Sequence, residues 1–200
     1  MVRRAVLVPM ALLLSTLYSA VHAQERRVIC VLVDDLGFGA LDRENSAKLL
    51  AVLRDEVVRE SDLVGFVSTG PSAVTADLQP ASIRSLQHAM ERLGAAASRE
   101  QAVRPDQSWA VTRVALVTAS DIVGNLARLQ NRDKQLLLLT SRAGVNGSFA
   151  ASFARDGEAA PADVTDDVAA VVAVAKAGNV TLRVVSTADP QSAELLRALR

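Results

Sequence analysis

The segment RVICVLVDDLGFG, Arg27 to Gly39, constrains the chain more than any other. From Val28 to Val33 it is continuously apolar and rich in β-branched side chains. It stops abruptly at two adjacent aspartates, followed by two closely spaced glycines. A strand without polar alternation is covered on both faces, so helices must flank it. In open α/β sheets, ligands bind beyond the carboxyl ends of the strands. Asp34 and Asp35 are therefore the first candidates for a functional edge. Gly37 and Gly39 beside them permit a tight turn or a close backbone approach.

The rest of the chain supplies the other layers. Leu49, Leu50, Leu53 and Val57 recur at helical spacing and predict an amphipathic helix over 46–58. DLVGFVS, Asp62–Ser68, predicts a second strand. The turn Thr69-Gly70-Pro71-Ser72 leads to a short third strand over 73–78, paired antiparallel with the second. Pro80 suits the first turn of a helix running to Leu93. The polar, Ala-rich stretch 94–108 reads as a loop. Trp109–Leu129 carries a helical stripe, although its β-branched first half leaves a strand over 113–118 as an alternative. Gln135–Thr140 is a buried strand, and 141–161 is an irregular loop containing several glycines. Asp163–Ala177 is a helix closed by Gly178-Asn179, Val180–Val185 a strand, and Gln191–Arg200 a last helix. Strands alternating with helices imply a largely parallel sheet covered on both faces. Asp34, Asp35, Thr69, Ser141 and Arg142 then all fall at carboxyl ends of strands or just past them.

The first residues predict an export signal. Met1-Val2-Arg3-Arg4 is basic, Ala5–Val21 is apolar, and Val21-His22-Ala23 has the small-x-small pattern of a cleavage site. This gives a signal peptide over 1–23 and one domain over 24–200, secreted or periplasmic. An uncleaved anchor is the alternative, because such a run just reaches bilayer length. Lys and Arg total 22 against 22 Asp and Glu, so there is no field to gather nucleic acid. Aromatic residues make up 3% of the chain, which also argues against base-stacking surfaces. A lone cysteine, Cys30, has no partner for an internal disulfide and reads as an inert buried thiol.

Four stretches in order resemble the von Willebrand factor type A fold, in the manner of secreted bacterial A-domain-related proteins. They are RVICVLVDDLGFGALDREN, DLVGFVSTG, VTADLQPASIRSLQHAMERL and NRDKQLLLLTSRAG. The resemblance runs from about Arg27 to Ser186. It implies a three-layer, Rossmann-like, mostly parallel sheet with one short antiparallel edge strand. It also implies adhesion or partner binding through a divalent metal at the carboxyl edge. The family pattern there is Asp-x-Ser-x-Ser, a Thr from a middle loop and an Asp after the fourth strand. This chain departs from it. Counted from Asp34 the serine positions hold Leu36 and Phe38; counted from Asp35 they hold Gly37 and Gly39. Gly94-Ala95-Ala96 lacks the threonine, and Arg142 stands near the place of the last aspartate.

Calcium takes six to eight oxygens, and magnesium six including its waters. The expectation is thus a degenerate site in which Asp34 and Asp35 hold at most a weakly bound Mg²⁺ or Ca²⁺. Arg142 opposes that ion or replaces it by pairing with one aspartate. The alternative role for the pair is capping: one aspartate caps the following segment and the other is solvated or paired. The implied function is a non-catalytic, protein-binding module without a cofactor. Its partner face comprises Gly37, Gly39, Thr69, Ser141 and Arg142.

A receiver-like phospho-acceptor domain is the rival reading. It uses Asp34 and Asp35 as an acidic pair, Asp77 as acceptor, and Thr118 and Lys134 as accessory residues, at poor spacing. Hydrolase chemistry has less support. No G-x-S-x-G surrounds any serine, Asp34-Asp35 is adjacent where a haloacid-dehalogenase-like site needs Asp-x-Asp, and His88 is the only histidine beyond the signal segment. Trp109 reads as a core anchor, and Asp163, Asp166 and Asp167 as charges favouring a helix N-terminus.

Overall fold

The computed structural model describes residues 27–38, 40–69, 79–80, 88, 91, 108–130, 132–142, 144–154 and 160–200. Its sheet contains β1 (Val28–Val33), β2 (Leu63–Ser68), β3 (Gln79–Pro80), β4 (Lys134–Thr140) and β5 (Val180–Ser186), in the order β3-β2-β1-β4-β5. β1, β2, β4 and β5 are mutually parallel. The helices are α1 (Ala40–Val52), α2 (Ser108–Arg128), α3 (Ala162–Ala177) and α4 (Ser192–Arg197). This is an α/β, Rossmann-like arrangement with helices on both faces. Among the described residues, no helix is long and apolar enough to cross a membrane.

β1 is central because it is apolar on both sides, and all its residues are buried. Its even-numbered side chains, Val28, Cys30 and Leu32, join Leu136, Leu138 and Val184 beneath α2 and α3. Its odd-numbered ones, Ile29, Val31 and Val33, join Leu137, Leu139 and Val185 beneath α1 and α4. The two-residue period of a strand thus feeds two cores from one segment. α2 and α3 run side by side, and Gly178 at the end of α3 leaves room for Ala127 of α2.

The opposite, amino edge is closed by a buried ion pair. Arg27 donates to Asp62 Oδ2 at 2.7 Å, to the Val57 carbonyl at 2.8 Å and to the Leu199 carbonyl at 2.5 Å. It thereby ties β1, the end of α1 and the chain terminus together.

Several boundaries differ from the sequence expectation. The first helix begins at Ala40, not at residue 46, and finishes as a π-helical stretch, Leu53–Val57. The positions opening its buried stripe are Arg43 and Ser46, which a hydrophobic period does not register. The Trp109–Leu129 stripe forms α2, so a strand over 113–118 is ruled out: Ala115, Leu116, Ala119, Ile122 and Val123 are buried on one helical face. Pro80 does not open a helix. It pairs antiparallel with Leu63 beside Gln79, at a sheet edge, where a residue without an N–H is tolerated. His88 and Glu91 are helical. The strand expected over 73–78 lies outside the described residues. The last helix is shorter than expected, Ser192–Arg197.

Candidate functional site

The register brings the candidate residues to one edge. β1 pairs with β2 so that Val33 lies opposite Ser68, and with β4 so that Val33 lies opposite Leu139. The residues that follow emerge together: Asp34 and Asp35 from β1, Thr69 from β2, Ser141 and Arg142 from β4. Asp34 N–H donates to the Leu139 carbonyl at 2.9 Å, and Thr69 N–H to the Val33 carbonyl at 3.0 Å. These bonds prolong the ladder one residue past each strand and fix the acidic pair between its neighbours.

Each aspartate accepts a hydroxyl from β2 or its end. Thr69 Oγ1 donates to Asp34 Oδ1 at 3.1 Å, and Ser68 Oγ donates to Asp35 Oδ1 at 2.6 Å. Asp35 is buried, and Asp34 is half-buried. Burial raises the Asp34 carboxyl to a pKa of about 6; the Arg142 charge and the Thr69 hydroxyl pull it back down, and the Asp35 charge adds to the rise. Asp34 occupies the cap position of the 3-10 turn Asp35–Gly37 but makes no side-chain cap bond. Its carboxylate points across the sheet to Thr69 instead, and Asp35 is sealed from solvent.

Arg142 is anchored by the loop that follows β4 and by α2. It donates to the Ser152 and Ala154 carbonyls at 2.5 and 3.0 Å and to Thr112 Oγ1 at 2.7 Å. The loop after β4 is thereby fastened to α2 and to the 3-10 turn Ala151–Phe153. Its charge still bears on Asp34. Ser141 is half-buried beside it, and Gly37 ends the turn after β1. Gly39 and Asp77 lie outside the described residues.

The sequence places Thr69 at this edge beside the acidic pair but hides Ser68, which lies within β2 and meets the pair only because it stands opposite Val33 of β1. Two hydroxyls at the end of an adjacent parallel strand were the available signal. Among the described residues, the side-chain oxygens bonded together here are two carboxylates and two hydroxyls, and each hydroxyl donates to a carboxylate. Among the described residues, no group of three or more His, Cys, Asp or Glu could hold a metal. A tightly held divalent cation does not fit the donors among the described residues: few oxygens converge, a guanidinium charge acts on Asp34, and burial favours the neutral form of its carboxyl.

The accessory residues of the receiver-like reading, Lys134 and Thr118, are not bonded to the acidic pair. Lys134 opens β4 opposite Val28 at the amino end of the sheet, where its Nζ donates to the Leu129 carbonyl at 2.9 Å. Thr118 lies within α2 and donates to the Val114 carbonyl. His88 is exposed. Cys30 is buried, which pushes its thiol up to about 12. Trp109 packs against the core beneath α2, and Asp163 lies in the first turn of α3, where it accepts the adjacent Val164 N–H at 3.0 Å.

A second polar cluster surrounds the end of β5. Thr187 donates to Asp42 Oδ1 at 2.9 Å, and Asn45 Nδ2 donates to the Thr187 carbonyl at 3.0 Å. Beside it a cleft of about 310 Å³ opens between α1 and α4, lined by Asn45, Lys48, Thr187, Asp189 and Ser192 among others.

Comparison with known proteins returns no matching family model and no matching curated relative.

Proposed function

We propose that the chain is an extracytoplasmic, non-catalytic protein-binding module with von Willebrand A-like architecture, including that fold's short antiparallel edge strand. Its contact face is the carboxyl edge of the sheet: the turn with Gly37 and Gly39, Thr69, and the Ser141-Arg142 loop around Asp34 and Asp35. The observation that carries this reading is the convergence of Asp34, Asp35, Ser68, Thr69 and Arg142 at one edge, cross-linked by hydroxyl–carboxylate bonds. The groups are polar and held by the ends of core strands. Such an edge suits recognition by a rigid surface more than bond making. A divalent ion enters only as a weak, mostly hydrated occupant at Asp34 and Asp35.

The test is affinity capture from an extracytoplasmic fraction, followed by titration of the recovered protein against wild type and Thr69→Arg. Binding weakened about tenfold or more by Thr69→Arg supports the face; equal affinity for both chains contradicts it.

A further inference from the structure

The buried stripe of α1 begins with two polar residues. Leu49, Leu50 and Leu53 enter the core, and one and two turns before them the same face presents Ser46 and Arg43, which are 0% and 7% exposed. Arg43 Nε and Ser46 Oγ are sealed from solvent and have no hydrogen-bond partner. None of the described ion pairs includes Arg43. A buried charge is retained when it is paired and hydrogen-bonded. Arg27 illustrates that condition at the other end of the molecule, with Asp62 and two carbonyls around its guanidinium. Arg43 lacks such a set. Ser46 also forgoes the bond that helical serines make to the carbonyl four residues back.

The position of the two residues points to a ligand. Asp42 and Asn45, their neighbours on α1, are bonded to Thr187, so this stretch of helix is pinned against the carboxyl end of β5. That is the ligand-binding side of an open α/β sheet. Arg43 and Ser46 lie within the first two turns of α1, and helical side chains lean toward the N-terminus. N–H groups there have no intrahelical acceptor, and the helix dipole is positive. Of the two acids adjacent in sequence to Arg43, Asp42 accepts the Thr187 hydroxyl and Glu44 pairs with Lys48.

We propose that Arg43 and Ser46 form a buried oxyanion-binding site on the inner face of α1, taking a carboxylate or phosphate group as the missing counter-ion of the guanidinium. The guanidinium fork matches two oxygens of such a group, and the Ser46 hydroxyl donates to it. The site stands independently of whether a protein partner uses the sheet edge.

The experiment is thermal unfolding of the full chain while inorganic phosphate, acetate or a tetraglutamate peptide is titrated at constant ionic strength, with chloride as the balancing anion. The expected result is a saturable rise in midpoint for wild type. Ser46→Ala weakens the apparent affinity about tenfold, and Arg43→Met abolishes the response while melting higher than wild type without anion. Arg43→Lys, which keeps charge but loses the fork, provides the comparison should Arg43→Met not fold; it weakens the response by a similar factor. A stronger response to acetate or phosphate than to the peptide assigns a free ion, and the reverse assigns an acidic side chain. A response no larger than that to chloride, or one equal in wild type, Ser46→Ala and Arg43→Lys, overturns the proposal.

Discussion

Thr69 donates its hydroxyl to Asp34 Oδ1 at 3.1 Å, joining the end of β2 to the end of β1 across the sheet edge. The bond spans two adjacent parallel strands, so it holds a half-buried carboxyl where burial disfavours its charge. The raised pKa of about 6 follows mainly from that burial, and it has a definite sign. Because the folded state binds the Asp34 proton more tightly than the unfolded chain does, the charge destabilises the fold above pH 6. That penalty is relieved as pH falls through 6 toward the ordinary carboxylate range. Asp34→Asn, whose amide oxygen still accepts from Thr69, is expected to raise stability at pH 8 by on the order of 1–2 kcal/mol. Near pH 4 it should change little. Denaturant midpoints of both chains across this range check it; a larger gain at pH 4 than at pH 8 would refute the sign.

The ion pair at the other end is structural. Asp62 Oδ2 accepts from Arg27 at 2.7 Å and from the Arg59 N–H at 2.9 Å, and both charged side chains are buried. Asp62→Ala leaves a buried guanidinium without its counter-charge and is expected to cost about 3–5 kcal/mol, read as a lower urea midpoint.

Gly178 is required by packing. A Cβ there would stand 2.8 Å from Ala127 Cα and closer still to its Cβ, at the contact between α2 and α3. Gly178→Ala is expected to destabilise by about 1–3 kcal/mol, and a simultaneous Ala127→Gly should recover most of the loss.

Cys30 reports on global unfolding. With its thiol buried and pushed up to about 12, it should resist a thiol reagent at pH 8 until the sheet opens, because the thiolate is the reactive form. Labelling as fast in the native as in the denatured chain would contradict its place in β1.

Much of this architecture is legible in the chain because its strands are so uniformly apolar. RVICVLV and QLLLL announce a sheet covered on both faces, and that alone places Asp34 and Asp35 at a carboxyl end. What the pattern hides is polar burial. Arg43 and Ser46 lie on the core side of α1, yet a search for hydrophobic period starts the helix at the leucines beyond them. Ser68 is equally hidden, because its role depends on lying opposite Val33 in a neighbouring strand. Arg142 was placed at the correct edge, but its bonds to Ser152, Ala154 and Thr112 depend on how the loop after β4 folds back, which residue types alone do not specify.

The central claim is that the carboxyl edge is the recognition face, and a photo-crosslinking amino acid tests it most directly. The probe is installed at Ser141 on that edge and, separately, at Glu60, which is exposed beside Asp62 at the amino edge. In the presence of an extracytoplasmic extract, the account predicts one discrete protein adduct from position 141 and none of the same mass from position 60. The same adduct from both positions, or from position 60 alone, would contradict it.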